Sequence, residues 1–157
     1  MTDFYRALDV IFGVEGYDKI IVDEGGLTKY GISQRAYPDV DIRNLTEPQA
    51  ATIYQRDYWT PVQGDKLKWP LNLYVFDAAV NQGQNAAIKM LQTAAGGLSV
   101  DGVMGAKTIA RVNQRDPQEL GALFMARRAL RYIGTRHFDV NGYGWFARLF
   151  RVAANAQ

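Results

Sequence analysis

The sequence predicts a mainly α-helical fold with one small β element near its N-terminus. Most segments place apolar residues at helical spacing and are bounded by capping residues, glycine or proline. One stretch, "KIIVDEGGLTKYGI" (residues 19–32), instead has β-forming residues on both sides of a glycine pair. Strands and helices do not alternate along the chain, which argues against a doubly wound parallel sheet. We therefore predict a helical bundle with a short N-terminal β-hairpin.

The first helix is predicted to begin near Thr2 or Asp3 and to end between Gly13 and Gly16. Its apolar face is formed by Phe4, Leu8, Ile11 and Phe12. Glu15 therefore falls at the C-terminal end of this helix. The negative end of the helix dipole opposes a carboxylate there and favours the protonated form.

The segment from Tyr17 to Ile32 is predicted to form the hairpin, and Ser33 is predicted to cap a short helix that Pro38 ends. Thr46 and Gln49 have the spacing of a capping box at the next helix, and Asp116 has the position of a later cap. These further helices are predicted at 46–59, 70–82, 85–95, about 105–114, about 117–134 and about 143–154.

The composition limits the chemistry. The 157 residues are 48% hydrophobic, which is enough for one domain with its own core. There is no cysteine and only one histidine, His137, so thiolate chemistry is excluded and a multi-histidine metal centre is disfavoured. Carboxyl groups are therefore the expected general acids and bases, and we expect neither a metal nor an organic cofactor.

Glu15 and the acidic pair Asp23 and Glu24 are the carboxylates that the pattern singles out. Glycoside hydrolysis needs one carboxyl group that donates a proton and a second that assists water or stabilises the cation. A helix-end glutamate followed by a hairpin is one way to face two carboxylates across a cleft. The alternatives are an ordinary exposed glutamate at Glu15 and simple turn chemistry before the Gly-Gly pair.

Four further side chains are candidates for the same cleft. Thr28 has a hydroxyl that can orient a water molecule, although threonine is also an ordinary β-former. Tyr30 can stack on a sugar ring, although most aromatic residues serve the core. Asp77 and Asn81 are four apart on an apolar helix, so they share a face and either line a cleft or cap neighbouring loops.

The stretch "VEGY…DEGGLTKYGIS" resembles the opening motif of the phage-type N-acetylmuramidases of glycoside hydrolase family 108. The resemblance continues through "LTEPQAATIYQRDYW", "VFDAAVNQG" and "MLQTAAGGLSVDGVMGAKT". It implies a lysozyme-like fold with the hairpin beside the catalytic cleft. It also implies that Glu15 is the catalytic acid, with Asp23 and Thr28 as its catalytic partners. Glu24 stands where the family has proline, and it is an alternative to Asp23.

The resemblance further implies hydrolysis of the β-1,4 bond between N-acetylmuramic acid and N-acetylglucosamine. Glu24, Tyr30, Asp77 and Asn81 are then expected to contact the glycan. The implied biology is a phage endolysin, made in the host cytoplasm without a signal peptide and released by a holin to act on the wall in the periplasm. Residues 1–95 would form the catalytic lobe, and residues 96–157 a peptidoglycan-binding-like helical lobe packed against it.

The distribution of charge along the chain indicates which kind of partner the protein could bind. Residues 1–105 carry 9 Lys and Arg against 13 Asp and Glu, whereas residues 106–157 carry 9 against 3. The second part is therefore basic and suits an anionic partner such as the cell wall, or is simply a solvated helix surface. We expect peptidoglycan glycan strands as the partner, no nucleic acid, no membrane insertion, and a monomer. The functional alternatives are a lytic transglycosylase, a non-catalytic peptidoglycan-binding module, and a cell-wall toxin with the same chemistry that is delivered by a secretion system.

Overall fold

The computed structural model describes residues 1–15, 19–23 and 26–156, without the side chains of Glu15 and Asp23. Its helices are α1 (Asp3–Glu15), α2 (Glu47–Tyr54), α3 (Leu71–Gln82), α4 (Gln84–Ala95), α5 (Ala106–Asn113), α6 (Pro117–Ile133) and α7 (Phe138–Ala154). Its strands are β1 (Ile21–Asp23), β2 (Gly26–Lys29) and β3 (Ile32–Ser33). The predicted mainly α-helical fold with a small β element near the N-terminus is confirmed.

The β element is a three-stranded antiparallel sheet with the order β1-β2-β3. Thr28 in β2 pairs with Ile21 of β1 on one side and with Ser33 of β3 on the other. The predicted hairpin is therefore present, and a third strand extends it. Tyr30 (φ 53°) and Gly31 (φ 74°) both adopt the left-handed conformation, which reverses the chain between β2 and β3.

The predicted short helix between Ser33 and Pro38 is wrong. Ser33 pairs within β3, and residues 34–36 form turns rather than a helix. The Ser33 hydroxyl does accept a hydrogen bond from the Ala36 amide at 3.2 Å, as a cap would. The side chain of Gln34 then fills the loop by donating to the carbonyl oxygens of Tyr37, Pro38 and Val40. These local bonds satisfy the backbone without a helical ladder.

The capping residues behave as predicted at two helix starts. The Gln49 side chain accepts a hydrogen bond from the Thr46 amide at 2.9 Å, and Asp116 accepts from the amides of Gln118 and Glu119. After α2 the chain continues as a π-helical segment, Gln55–Trp59, so the predicted 46–59 helix is present with a change of pitch.

Helix α7 begins at Phe138, about five residues before the predicted start. The glycines near its beginning favour an interruption by propensity alone. Gly142 instead lies directly against the ring of Phe138, where an added Cβ would come within 2.7 Å of a ring atom. This contact between residues four apart within α7 offsets the low helix propensity of glycine here.

Helix α3 lies at the centre of the molecule, and residues 71–79 are all buried. Helices α1, α4, α6 and α7 pack on it. The core takes side chains from both sides of residue 95; Val112, Leu120, Phe124, Val152 and Ala156 belong to the same cluster as the N-terminal residues. The predicted lobe boundary does not interrupt this core, and a separate binding role for residues 96–157 stays a prediction.

Within the described part of the chain, none of the helices is both long enough and apolar enough to cross a bilayer.

Candidate active site

The backbone of Glu15 ends α1, and the backbone of Asp23 ends β1 opposite Gly26 of β2. Helix and hairpin thus follow each other in the order that the sequence predicts. The side chains of Glu15 and Asp23 and the whole of Glu24 lie outside the described residues. Their predicted roles as proton donor, second carboxylate and glycan contact stay predictions.

Thr28 is half-buried in the middle of the sheet. Successive side chains of a strand point to opposite faces, and its neighbour Leu27 packs against the core. Thr28 therefore lies on the face turned away from the core, together with its cross-strand partners Ile21 and Ser33. The predicted role of the Thr28 hydroxyl in orienting water stays a prediction.

Tyr30 joins the sheet to the helices. Its ring packs on Phe12 near the end of α1, with ring centroids 5.6 Å apart. Its carbonyl oxygen accepts a hydrogen bond of 2.9 Å from the hydroxyl of Tyr54 in α2. The ammonium group of Lys29 lies 5.4 Å from the centre of the same ring. Tyr30 therefore has a clear positioning role, and its contact with a sugar stays a prediction.

A second connection runs from the loop after β3 to the π-helical segment. The Tyr37 hydroxyl donates to Asp57 at 2.9 Å and lies 3.4 Å from the Tyr58 hydroxyl. Burial raises the pKa of Tyr37, and the bonds with Tyr58 and Asp57 raise it further. The hydrogen bonds from Arg56 lower the pKa of Asp57, so its carboxylate stays charged. Sequence reasoning missed this network because its members are about twenty residues apart.

Asp77 is fully buried and lies between two arginines. Its Oδ2 is 2.7 Å from Nη2 of Arg128, and its Oδ1 is 2.7 Å from Nη2 of Arg148. Burial disfavours the charged carboxylate, but the attraction of Arg128 and Arg148 outweighs it and lowers the pKa of Asp77. The buried carboxylate has no exposed surface for a sugar. This position gives no support to contact with substrate, which stays a prediction.

Arg128 and Arg148 are the partners that sequence reasoning missed. Arg128 reads as part of a basic stripe with Arg127 and Arg131, but it is fully buried, whereas the other two are exposed. The sequence did indicate that such a partner exists. Asp77 is a charged residue within an apolar helix, and a buried charge requires an opposite charge nearby. The sequence does not show which of the many arginines supplies it.

Asn81 lies one turn after Asp77 in a different environment. It is exposed, and its Oδ1 accepts a hydrogen bond from the hydroxyl of Tyr132. It lines a pocket of about 250 Å³ together with Gln82, Arg131, Tyr132, Thr135 and Trp145. Of the predicted pair on α3, Asn81 is therefore the member that a ligand can reach.

The described residues contain no group of three or more His, Cys, Asp or Glu side chains placed to hold a metal ion. Asp57 pairs with Arg56, and Asp77 pairs with Arg128 and Arg148.

Comparison with known proteins places this arrangement in a family. Residues 8–83, which include the second half of α1, the sheet, α2 and α3, match the family model described as glycosyl hydrolase 108. No curated protein is significantly similar to the chain. The solved structure of SagA from Brucella abortus is similar to the whole molecule, with a TM-score of 0.85 and 31% sequence identity. The match covers 98% of this chain and 93% of the SagA chain. By these two likenesses the chain belongs to the glycosyl hydrolase 108 family.

Proposed function

We propose that this glycoside hydrolase is a lysozyme-type muramidase. It hydrolyses the β-1,4 bond between N-acetylmuramic acid and N-acetylglucosamine in peptidoglycan. The observation that carries the proposal is that Glu15 ends α1 directly before a sheet that contains Asp23 and Thr28. Glycoside hydrolysis uses a pair of carboxyl groups, and this order offers one from each of two adjacent elements.

Each residue has a separate role in the proposed reaction. Glu15 donates a proton to the glycosidic oxygen, which makes the departing sugar a better leaving group. Asp23, or Glu24 in its place, assists the attacking water or stabilises the positive charge on the sugar ring. The hydroxyl of Thr28 orients that water. The reaction proposed here requires no metal or organic cofactor.

The proposed biological role is that of a phage endolysin. The enzyme would be made in the host cytoplasm, released by a holin, and would act as a monomer on the wall in the periplasm. The basic part of the chain, residues 106–157, supports this role because it suits an anionic wall. Retention on isolated wall fragments should then decrease as salt is added, since salt screens exposed charges.

The test is a comparison of wild type with Glu15→Gln on Gram-negative cells whose outer membrane has been permeabilised. Loss of a general acid lowers the rate by about 10²- to 10⁴-fold, so lysis by the variant should be near background. Glu119→Gln is the matched control, because Glu119 is an exposed carboxylate of α6. Circular dichroism must first show that both variants fold like wild type.

Mass spectrometry of the soluble products completes the test. Hydrolysis leaves a reducing N-acetylmuramic acid end, whereas an anhydro-muramic end would identify a lytic transglycosylase and contradict the proposed hydrolysis. Equal lysis by wild type and Glu15→Gln would contradict the role of Glu15. Wall binding without lysis by wild type would identify a binding module.

A further inference from the structure

The pocket around Asn81 is built from hydrogen-bond donors whose capacity is not used within the protein. It lies where the end of α3 meets the end of α6 and the first turns of α7. Three of its groups have no hydrogen-bond or ion-pair partner among the described residues: the Arg131 guanidinium, the indole N–H of Trp145 and the amide nitrogen of Asn81. Three unused donors in one pocket favour a ligand that is rich in acceptors.

The orientation of the Asn81 amide follows from its neighbours. Tyr132 interacts through its hydroxyl with Arg128, and an arginine can only donate. The proton of the Tyr132 hydroxyl is therefore available for Oδ1 of Asn81. Burial raises the pKa of Tyr132, which keeps that proton in place near neutral pH. The amide NH₂ of Asn81 is left free to donate to a ligand.

The floor of the pocket is held by two hydrogen bonds between Gln82 and Arg128. Arg128 donates to Gln82 at 3.0 Å, and the Gln82 amide reaches back to the Arg128 carbonyl oxygen at 3.5 Å. Behind it, the carboxylate of Asp77 pairs with the guanidinium groups of Arg128 and Arg148. The Arg131 guanidinium supplies a positive charge in the wall of the pocket itself. Among the residues that the structure describes, none that lines the pocket is acidic. An anionic ligand is therefore favoured over a neutral or cationic one.

The pocket also has an aromatic wall. The ring of Trp145 stacks on that of Tyr132, with centroids 5.0 Å apart and planes inclined by 16°. This stacking fixes the indole so that its N–H has a defined direction, and it offers an apolar edge to a ring-shaped ligand. Donors beside an aromatic wall are a combination that suits a sugar carrying an acetamido group.

We propose that this pocket binds a muramyl unit of peptidoglycan through its carboxylate, with Arg131 as the residue that pairs with it. The assignment rests on the proposed action on peptidoglycan and adds a specificity determinant for it. The carboxylate is either the free lactyl group of the muramic acid or a carboxylate of the attached stem peptide. N-acetylglucosamine has neither, so the pocket distinguishes muramyl from chitin-like units.

The test measures binding by tryptophan fluorescence in a Glu15→Gln background, which keeps the glycan intact. Three ligands are compared: a (GlcNAc–MurNAc)₂ tetrasaccharide with free lactyl groups, the same glycan with stem peptides, and chitotetraose. Arg131→Gln should weaken binding of at least one muramyl glycan by about 10- to 100-fold, as expected for loss of one charge-assisted hydrogen bond. The muramyl glycan whose binding to Arg131→Gln is weakened more identifies the source of the carboxylate.

Arg127→Gln is the matched control, because Arg127 is an exposed arginine one turn earlier on α6 and does not line the pocket. It should change every affinity by less than about twofold, as is usual for an isolated surface charge. Trp145→Phe should abolish most of the fluorescence response to muramyl glycans. The proposal would be overturned if Arg131→Gln and Arg127→Gln changed the affinities equally, or if Arg131→Gln weakened binding of chitotetraose as much as binding of the muramyl glycans. Failure of the protein to bind either muramyl glycan would also overturn it.

The two proposals fail in different ways. Wild-type protein that binds muramyl glycans through Arg131 but leaves peptidoglycan uncleaved would contradict the muramidase proposal alone. Lysis by wild type with unchanged glycan affinity in Arg131→Gln would contradict the pocket assignment alone.

Discussion

At the scale of single residues, the Asp77 carboxylate is the charge on which the interior most depends. It pairs with Arg128, which is fully buried, and with Arg148, whose side chain is only 11% exposed. A buried ion pair contributes little net stability compared with apolar residues of the same size, but removal of one partner leaves an unpaired buried charge. Here one carboxylate pairs with two guanidinium groups, so its removal breaks two ion pairs.

We therefore expect Asp77→Asn to lower the free energy of unfolding by about 3–5 kcal/mol. Urea unfolding at pH 7, followed by circular dichroism, measures the change. Glu119→Gln is the control, since Glu119 is 67% exposed and 3.8 Å from Arg115. An exposed pair of this kind contributes about 0–1 kcal/mol. A cost for Asp77→Asn no larger than that of the control would contradict the structural role of the cluster.

The same cluster predicts a dependence of stability on pH. The two arginines hold the pKa of Asp77 below its ordinary value, which is about 3.9 in an unfolded chain. The stabilisation by the carboxylate is therefore fully present above about pH 3.9 and is lost as the pH falls through the folded pKa. The difference in unfolding free energy between wild type and Asp77→Asn should stay constant from pH 7 to 5.

Below about pH 4 that difference should decrease, because the unfolded wild type takes up a proton that the folded protein does not. Urea unfolding of both proteins at pH 7, 5, 4 and 3 provides the comparison. A difference that decreases already between pH 7 and 5 would show that another group, with a higher pKa, dominates. A difference that is unchanged at pH 3 would show that Asp77 does not titrate in this range.

At the scale of elements, the position of the sheet depends on a few contacts with α1 and α2. The sheet is small, and short antiparallel sheets are not stable alone. Tyr30 supplies the main link, because its ring packs on Phe12 and its carbonyl oxygen is bound by Tyr54. The predicted catalytic residues lie on both sides of this link, so the link controls how helix and hairpin face each other.

Tyr54→Phe removes the hydroxyl that binds the Tyr30 carbonyl and keeps the buried ring. We expect a loss of about 0.5–1.5 kcal/mol in unfolding free energy, the usual net value of one hydrogen bond. The rate of wall lysis should fall more than in Tyr5→Phe, because the hairpin loses a positioning contact. Tyr5 is a suitable control, since it is half exposed and lies at the opposite end of α1 from the sheet.

Lysis assays and urea unfolding on the same preparations separate the two effects. Tyr54→Phe that is destabilised but lyses cells at the wild-type rate would show that the bond serves the fold alone. Identical behaviour of the two tyrosine variants would show that the link through Tyr30 has no role in the position of the sheet.

Features encoded by neighbouring residues could be predicted from the sequence. The caps at Thr46 and Asp116, the end of α1 after Glu15 and the hairpin itself all depend on residues a few positions apart. The third strand was not predicted, because it requires a left-handed conformation at Tyr30, which that residue type rarely adopts.

Features that depend on distant residues could not be predicted. The start of α7 depends on the packing of Phe138 over Gly142, and propensity alone does not show it. The environment of Asp77 depends on arginines that lie 51 and 71 positions later in the chain. The same limit applies to the pocket at Asn81, because its other walls come from α6 and α7.

At the scale of the whole molecule, α3 belongs to both parts of the chain at once. It packs against α1 and α4 from the N-terminal part and against α6 and α7 from the C-terminal part. The side chains of Leu120, Phe124 and Val152 complete the core around it. Trp69, just before α3, also donates a hydrogen bond of 2.7 Å to the carbonyl oxygen of Ala156. The C-terminal segment is thus a structural part of the domain that carries the predicted catalytic residues.

This leads to a prediction about the fragment 1–95, which ends at the predicted lobe boundary. In that fragment Asp77 loses both arginines, and the apolar surface of α3 and α4 that α6 covers is exposed to water. An uncompensated buried charge alone costs about 3–5 kcal/mol, a large share of the roughly 5–15 kcal/mol by which a domain is stable. We therefore expect fragment 1–95 to lack a cooperative thermal transition and near-ultraviolet circular dichroism.

The full chain should unfold in one transition, with the same midpoint for far-ultraviolet circular dichroism and for tryptophan fluorescence. Tryptophan fluorescence reports on both parts of the chain, because Trp59 and Trp69 lie in the N-terminal part and Trp145 lies in α7. Two separate midpoints, or a fragment 1–95 that melts cooperatively, would show that the C-terminal segment is an independent lobe. In that case residues 96–157 could act as a separate wall-binding unit. A single transition instead means that any glycan contact at Asn81 and Arg131 belongs to the catalytic domain itself.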